Sequence, residues 1–491
     1  MPASARSFFG HPWGLVPLSL TETWERFSYF GMRALLILYM VRALKFDDET
    51  AYDTLGNYLA LVYTMPLLGG IIADRVTGHR RAVLIGLTLM TAGHLCLACD
   101  GLLAPEGARQ ALFLALALVA VGNGFMKPSI ATLVGRLYGS EHSRRDAGFS
   151  IFTMGVNIGA FASALVCGTL ADRFGWSWGF GSAAIGMLIG MATFIGGSKA
   201  LPEDATRRLP LWLPFLCLAL VASAWLLMQF HALVGLALAA GAAGTIGWLL
   251  RQTAKLGAPR EQGRVAAGLA LSVAAIVLWF LNDQAAGSLN LLADRHVPRT
   301  VLGLHVAAPL YLSLNPLFII ALAPVLAQLW VMLARRGGDL ATPTKFAIGL
   351  VFIAAGMGVL AIPCALAGTG LIAPGWLVLS FLLSGIGELM ISPIGLSATT
   401  RLAPPGLGST MMGLWFLGTA GGDFLAQEAG KLASLGTPDA DAASLAGYER
   451  LFTWLGAIGL AAAVAMALVG PLLRRLMGET RPAQGAISPS L

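Results

Sequence analysis

The chain has 491 residues, of which 57% are hydrophobic and 12% are charged, and its mean hydropathy is +0.75. Soluble domains carry about 25% charged residues, so this composition excludes an ordinary soluble protein and predicts an integral membrane protein. The net charge is +7. Because Lys and Arg cluster in short loops between apolar stretches, we attribute this charge to cytoplasmic loops rather than to nucleic-acid binding.

Apolar stretches recur along the chain and predict an all-α membrane protein with fourteen transmembrane helices. The predicted spans are 15–41, 52–73, 81–101, 109–136, 146–171, 175–198, 210–230, 232–250, 265–292, 307–334, 345–367, 374–400, 406–432 and 450–473. With the N-terminus in the cytoplasm, most Lys and Arg residues fall in inside loops. We therefore expect both termini to be cytoplasmic, and the first span to be retained rather than cleaved as a signal.

The first span carries charged residues that recur at helical spacing. On a 3.6-residue period, five polar side chains share one face: Glu22, Glu25, Arg26, Tyr29 and Arg33. A charge at the centre of a bilayer costs about 2.5–3.5 kcal/mol on insertion scales. This face is therefore expected to line the protein interior or a water-filled path rather than to contact lipid.

The loop after the second span reads G-I-I-A-D-R-V-T-G-H-R-R from Gly70 to Arg81. It resembles the loop motif of the major facilitator superfamily, with one extra residue before the final basic pair. Asp74 can lie at a helix end and pair with nearby arginines, which would close the cytoplasmic side in one state. This assigns a gating role to Asp74 and Arg75, and a solvated turn is the alternative.

Three polar side chains of the first six spans are candidates for a central site. Lys127 lies at mid-span before Pro128 and needs a carboxylate partner unless it reaches an interface; the first span offers Glu22 and Glu25. Asn157 lies among small residues, where a hydrogen bond between helices is the alternative. Tyr63 is more ambiguous, since tyrosine is often a packing residue.

The pair of spans at 210–250 contains almost no internal polar groups and is interpreted as an insertion at the periphery. Six spans remain on either side, which is typical of a transporter built from two related bundles around a central site. The predicted division is an N-terminal bundle at 1–200, an inserted helix pair at 201–263 and a C-terminal bundle at 264–491.

The second group of spans carries its own polar residues. Asp283 is a lone carboxylate in a span, which indicates a proton site or half of an ion pair, and Arg33 is at a depth that could meet it. Glu388 lies one turn before Ser392 and Pro393, where the helix should be loosened, as suits a gate that also binds a cation. Two further candidates are Asn315 and Trp415, the latter with a position at the lipid interface as the alternative.

These spans together hold four acids and three bases: Glu22, Glu25, Asp283, Glu388, Arg26, Arg33 and Lys127. One carboxylate is in excess, so at least one can exchange a proton while the others stay paired. A cavity with both signs of charge also fits a zwitterion, in which a guanidinium binds the carboxylate and Glu388 binds the ammonium group.

At this point the chain resembles the proton-dependent oligopeptide transporter family of the major facilitator superfamily over nearly its whole length. The stretch from Glu22 to Phe30 resembles the family's E-x-x-E-R-F-x-Y-Y signature, with Phe30 in place of the second tyrosine. The segment from Phe152 to Gly159 resembles its I-N-x-G element. The segments 388–397 and 411–417 are also similar to the family. The inserted pair of spans is a feature of the family's bacterial members.

The resemblance implies a proton-coupled symporter that imports di- and tripeptides by alternating access. It implies that Arg26 and Lys127 receive the peptide carboxylate, and that Glu22 and Glu25 with Lys127 couple protons to the substrate. Asp283 with Arg33 would form the outer gate and a proton site, although Asp283, where the family often has Glu, is expected to reach Arg33 less well. The remaining substrate-binding residues would be Glu388 with Asn157, Asn315 and Ser392 for the amino terminus, and Tyr29, Tyr63 and Trp415 for the side-chain pockets.

The expected partners are small peptides, protons and the lipid bilayer, with no nucleic acid, no cofactor and no metal, in a monomer of the inner membrane. The nearest alternative is a carrier of the same fold for another substrate such as nitrate or an organic anion; the paired acids Glu22 and Glu25 argue against it. An ion channel would favour rings of like charge. A membrane enzyme would need a nucleophile or metal constellation within the spans, and the sequence contains no such motif.

Overall fold

The computed structural model describes residues 7–8, 10–99, 104–138, 142–202, 209–255, 257–301, 303–336, 340–368, 370–404, 407–433 and 442–478. Within these residues the helices are α1 (Leu15–Arg42), α2 (Asp48–Ile72), α3 (His79–Cys99), α4 (Pro105–Leu137), α5 (His142–Phe174), α6 (Trp176–Gly197), α7 (Leu213–Leu227), α8 (His231–Lys255), α9 (Pro259–Asn282), α10 (Ser288–His296), α11 (Leu314–Arg335), α12 (Thr342–Gly358), α13 (Ala361–Ala367), α14 (Gly375–Leu402), α15 (Gly408–Gly430) and α16 (Ala442–Met477). Two short antiparallel hairpins pair β1 (Ser7–Phe8) with β2 (His11–Pro12), and β3 (Thr300–Val301) with β4 (Leu304–His305).

The helices confirm the fourteen predicted spans in number and order. Helices α9 and α10 belong to one span, and α12 and α13 belong to another. The sixteen helices of the described chain therefore form fourteen helical segments. Eleven of these segments are long and apolar enough to cross a membrane. The other three are α1, whose charges lower its hydropathy, the short helix α7, and α15. A multi-span membrane protein is therefore what the chain encodes.

Each half of the molecule packs as a bundle of helices. In the first half α1 packs on α5 and α6, and α4 packs on α2 and α3. In the second half α12 packs on α14 and α16, and α9 packs on α15. Glycines allow the closest approaches: a Cβ at Gly93 would lie 2.7 Å from the carbonyl oxygen of Ala115 on the facing helix. The halves meet where α2 packs on α15 and where α5 packs on α11.

The span predicted at 265–292 contains a break that the sequence pattern did not predict. Helix α9 ends at Asn282, a 3-10 turn covers Asp283–Ala285, and α10 starts at Ser288. Helix α15 stabilises the break through two hydrogen bonds: Nε2 of Gln427 donates to the backbone oxygen of Asp283 at 3.4 Å, and Nε2 of Gln284 donates to the carbonyl oxygen of Ala426 at 2.9 Å. The first bond satisfies a backbone group of the break, which is how free backbone groups at membrane depth are tolerated.

The loosening expected beside Ser392 is not observed as a break. Helix α14 runs without interruption from Gly375 to Leu402, through Pro393. The side chain of Ser392 is half-buried on this helix.

The inserted pair, α7 and α8, contacts both halves rather than one. Helix α7 packs on α4, whereas α8 packs on α2, α9 and α15. At the start of α8, Nε2 of His231 lies 2.5 Å from Oε1 of Glu428 on α15, and its Nδ1 lies 2.8 Å from Oδ1 of Asn57 on α2. The pair is therefore tied by polar contacts at one end, which its apolar composition did not predict.

Further charges surround this contact. Lys431 forms ion pairs with Asp53 and, at 2.6 Å, with Glu428. Ligand-type atoms of Asp53, His231 and Glu428 lie within 4.8 Å of one another, a set that could hold a metal ion in the place that the Lys431 ammonium group takes here. The cluster joins α2, α8 and α15, so it crosses from one half to the other.

Candidate functional site

The charged face of α1 is buried, as the sequence predicted. Glu22 and Glu25 are 0% exposed and Arg26 is 6% exposed. Arg26 donates from Nε and Nη2 to the two carboxylate oxygens of Glu25, at 2.5 Å each. Its Nη2 also lies 3.3 Å from Oδ1 of Asn123 on α4. The guanidinium is thus held by a bidentate carboxylate and by a second helix, in a place that lipid does not reach.

Lys127 contacts the same face from α4. Its Nζ lies 2.5 Å from Oε1 of Glu22, and its side chain is 38% exposed. Nε of Arg26 lies 3.6 Å from the same oxygen. The sequence predicted Glu22 and Glu25 as joint partners of Lys127; the contacts instead assign Glu22 to Lys127 and Glu25 to Arg26. Two acids and two bases make this inner cluster neutral.

Arg33 and Asp283 form a buried ion pair between the halves. Arg33 is 9% exposed and Asp283 is 4% exposed. The expectation that the short Asp283 side chain would reach Arg33 less well is wrong. The break after α9 explains the contact, because Asp283 lies in the 3-10 turn rather than on the side of a regular helix.

Glu388 lies between two amides in the second half. Its Oε2 accepts from Nδ2 of Asn282 at 3.0 Å and from Nδ2 of Asn315 at 3.2 Å. Within the described chain no cation lies at ion-pair distance from this carboxylate. Its other oxygen is therefore available to a cationic ligand. Asn282 was not a predicted site residue, although it directly precedes Asp283 in a polar run.

A cavity of about 240 Å³ lies between the halves. Its lining includes predicted site residues from both halves: Arg33, Tyr63, Asn157, Asp283, Asn315 and Glu388. Phe30, where the resembling family usually has tyrosine, also lines it and contacts the guanidinium of Arg33 at 5.9 Å from the ring centre. The wall therefore presents the Arg33–Asp283 ion pair and, at Glu388, a carboxylate without a cation partner among the described residues to the same space.

Other predicted residues lie outside this lining. Tyr29 is fully buried, and the guanidinium of Arg26 lies 4.7 Å from the centre of its ring. Trp415 is 3% exposed and packs against α14 at Gly395. The side-chain pockets assigned to Tyr29 and Trp415 stay a prediction. Asn157 lines the cavity, and its Nδ2 donates within α5 to the carbonyl oxygen of Thr153 at 3.1 Å.

The loop motif after α2 forms a π-helical turn over Ala73–Thr77. The Asp74 side chain is 70% exposed, and its carboxylate lies 3.3 Å from Nε2 of His79. In this conformation Asp74 contacts a histidine rather than an arginine. The gating role of Asp74 and Arg75 stays a prediction.

Ion pairs close one side of the molecule across the two halves. Arg295 binds Asp48 through two hydrogen bonds of 2.6 and 2.7 Å, Arg42 pairs with Asp294, and Arg299 lies 3.5 Å from Asp172. These residues lie at the ends of α1, α2, α5 and α10 that the charge pattern assigns to the outside. The conformation is closed on that side, beyond the Arg33–Asp283 pair.

The sequence pattern missed one buried acid. Asp423 lies inside α15 and is 1% exposed. The carboxylate stands in the middle of the span predicted at 406–432, in the run Gly421-Gly422-Asp423, so the sequence alone could have indicated a buried acid here. With Glu22, Glu25, Asp283 and Glu388 it makes five acids away from the ends of the spans, against the three bases Arg26, Arg33 and Lys127.

Comparisons with known proteins cover almost all of the chain. A model of the POT family matches residues 80–444. Dipeptide and tripeptide permease A of Chromobacterium violaceum is 34% identical, with 94% of each chain covered. Peptide transporter YePEPT of Yersinia enterocolitica is 34% identical, with 98% of each chain covered. The crystal structure of peptide transporter POT in complex with sulfate is 36% identical and superimposes with a TM-score of 0.84, covering 96% of this chain and 97% of that one.

Proposed function

The chain belongs to the POT family, and we propose that it is a proton-coupled symporter that imports di- and tripeptides by alternating access. The observation that carries the proposal is a cavity between the halves whose wall contains Glu388, a carboxylate with no cation partner among the described residues. Glu388 can bind the ammonium group of a peptide zwitterion, and the nearby cations of the first half, Arg26 and Lys127, can bind its carboxylate. The relatives' names, dipeptide and tripeptide permease and peptide transporter, agree with this substrate class.

The contacts support the following residue roles within this proposal. Arg26 and Lys127 receive the peptide carboxylate once their own carboxylates release them. Glu388, held by Asn282 and Asn315, receives the amino terminus. We assign the supporting contacts and side-chain pockets to five further residues: Tyr29, Tyr63, Asn157, Ser392 and Trp415.

Proton coupling follows from competition for the same cations. In this conformation Glu25 occupies Arg26 and Glu22 occupies Lys127. A proton on either carboxylate removes its charge and frees the cation for the substrate. Peptide and proton binding then favour each other, which is the linkage that symport requires.

Alternating access places the gates on opposite sides of this site. Arg33 and Asp283 form the outer gate, and Asp74 and Arg75 act on the cytoplasmic side. We propose bundles at 1–200 and 264–491 that move relative to each other, with the pair at 201–263 inserted between them in sequence. The protein would lie in the inner membrane as a monomer with both termini in the cytoplasm.

Glu388→Gln is expected to weaken dipeptide binding by about 10- to 100-fold, since hydrogen bonds to charged groups contribute about 1.5–3 kcal/mol. Binding of an N-acetylated dipeptide, which has no ammonium group, should hardly change. Calorimetric titration of both ligands checks this. Glu261→Gln is the matched control, because Glu261 pairs with Arg264 on its own helix at 3.2 Å. Equal losses for both ligands would contradict the assignment of Glu388.

Counterflow in proteoliposomes tests the substrate class. Vesicles loaded with unlabelled dialanine should take up labelled dialanine in the absence of a gradient, and external tripeptides should compete. Vesicles loaded with nitrate should not exchange it for labelled nitrate from outside. Nitrate exchange without dialanine exchange would replace the proposal by the anion-carrier alternative.

A further inference from the structure

Asp423 is a buried carboxyl group for which the residue roles given above provide no function. It is 1% exposed, and its Oδ1 has no hydrogen-bond partner. No Lys, Arg or His of the described residues lies within ion-pair distance of it. An isolated ionised carboxylate is so costly to bury that such a group takes up a proton instead. We therefore expect Asp423 to carry a proton in this conformation.

The turn of α15 that follows Asp423 packs against the break that carries Asp283. One turn beyond Asp423, Nε2 of Gln427 lies 3.4 Å from the backbone oxygen of Asp283. From the break, Gln284 donates to the carbonyl oxygen of Ala426 at 2.9 Å. Asp423 accordingly interacts electrostatically with Asp283 and with Arg33. It belongs to the environment of the outer gate.

Among the described residues, the groups that interact electrostatically with Asp423 include one cation, Arg33. The others are Tyr29 on α1, Tyr63 on α2 and Asp283 in the 3-10 turn. The tyrosines are neutral near pH 7. Two carboxyl groups therefore interact with one guanidinium, which forms its ion pair with Asp283, and one proton makes the group neutral.

We propose that Asp283 and Asp423 form a carboxyl pair that shares one proton opposite Arg33, and that this pair is the proton-binding site of the outer gate. The proposal rests on the proposed function and makes it more specific, because the gate proton then belongs to the pair rather than to Asp283 alone. Two interacting carboxyl groups titrate together, and the second proton leaves only with difficulty.

The position of the pair gives its proton a route in from the outer side and a route out to the central cavity. Helix α15 packs on α2 where the two halves meet, so separation of the halves at the outer side hydrates Asp423 and lets it bind a proton from outside. Asp283 lines the central cavity. The O–H bond at Asp423 then breaks as a new O–H bond forms at Asp283, and the negative charge moves to Asp423 with no net change.

The proton-to-peptide ratio of Asp423→Asn tests this proposal. The amide keeps the shape of the side chain but carries no exchangeable proton, so Asp283 stays ionised beside Arg33. The ratio, obtained from the membrane voltage at which net peptide flux reverses, is expected to fall by one proton per peptide. Thr419→Val is the matched control, since Thr419 is buried one turn earlier on α15 and bonds only to its own helix. An unchanged ratio in Asp423→Asn would overturn the proposal.

Two further readouts separate failure of this proposal from failure of the proposed function. Dialanine counterflow needs no gate proton, so its absence in the wild-type protein counts against peptide transport itself. Infrared spectra of the purified proteins do not depend on transport. The wild-type minus Asp423→Asn difference should contain a protonated carboxyl C=O band that shifts in D2O. A folded variant whose difference spectrum lacks this band would overturn the shared proton, whether or not the variant transports.

Discussion

The double variant Glu22→Gln and Glu25→Gln is expected to lose gradient-driven peptide accumulation while it keeps peptide exchange. Glutamine resembles the protonated acid, so Arg26 and Lys127 are free for the substrate carboxylate at every pH. In the structure Glu25 binds Arg26 at 2.5 Å and Glu22 binds Lys127 at 2.5 Å. Protonation of these acids must break the two contacts before the cations can bind the substrate. Without this step, peptide binding no longer depends on proton binding at these acids, and the proton of the Asp283–Asp423 pair can then cross without peptide and does not drive accumulation.

The measurement compares two assays on the same proteoliposomes. Under an inward proton gradient, the inside-to-outside peptide ratio should fall to the equilibrium value in the variant, and labelled dialanine should still exchange in counterflow. Peptide affinity should no longer vary with external pH. Glu106→Gln is the control, because Glu106 is an exposed acid in the first turn of α4, the helix that carries Lys127. Full accumulation in the double variant would refute the coupling role of these acids.

Arg33→Asp is expected to open the outer gate. The substitution places a carboxyl group opposite Asp283 in a buried site, and breaking a buried ion pair costs about 3–5 kcal/mol. At 1.4 kcal/mol per tenfold change, this shifts the balance between outer-closed and outer-open states by roughly 10²- to 10³-fold. The double variant Arg33→Asp with Asp283→Arg restores opposite charges and should restore closure.

Distances between spin labels report this balance. Labels on cysteines placed at Glu49 and Leu432, exposed positions at the outer ends of the two halves, should move apart in Arg33→Asp and return in the double variant. Glu261→Gln is the control, since the partly exposed Arg264–Glu261 pair lies within one helix and such pairs contribute about 0–1 kcal/mol. Equal label distances in Arg33→Asp and wild type would contradict the gate. The background needs all native cysteines replaced: Cys96, Cys99, Cys167, Cys217 and Cys364.

Local patterns predicted much of the fold. Hydropathy depends on the residues of one span at a time, so it gave the number and order of the helices. Helical periodicity placed Glu22, Glu25 and Arg26 on one buried face, because 3.6 residues per turn is a property of the helix itself. Charge and burial also paired Arg33 with Asp283, since a buried ion requires a partner.

Contacts between distant segments could not be read in this way. Glu25 pairs with Arg26, and Glu22 pairs with Lys127. This choice of partners depends on how α1 and α4 are aligned along their lengths. The break at Asp283 is stabilised by α15, more than a hundred residues further along the chain. The same holds for His231, whose two ring nitrogens contact α2 and α15. Asp423 is different, because its carboxyl group lies within a predicted span and could have been identified as a buried acid from the sequence alone.

The most direct test of proton-coupled peptide transport is uptake by proteoliposomes that contain the purified protein and a pH-sensitive dye inside. With an imposed inward proton gradient, dialanine should accumulate above its external concentration, and its addition should accelerate acidification of the interior. Collapse of the gradient with an ionophore should release the accumulated peptide. Dialanine that neither accumulates nor carries protons inward, in vesicles shown to contain folded protein, would contradict the account.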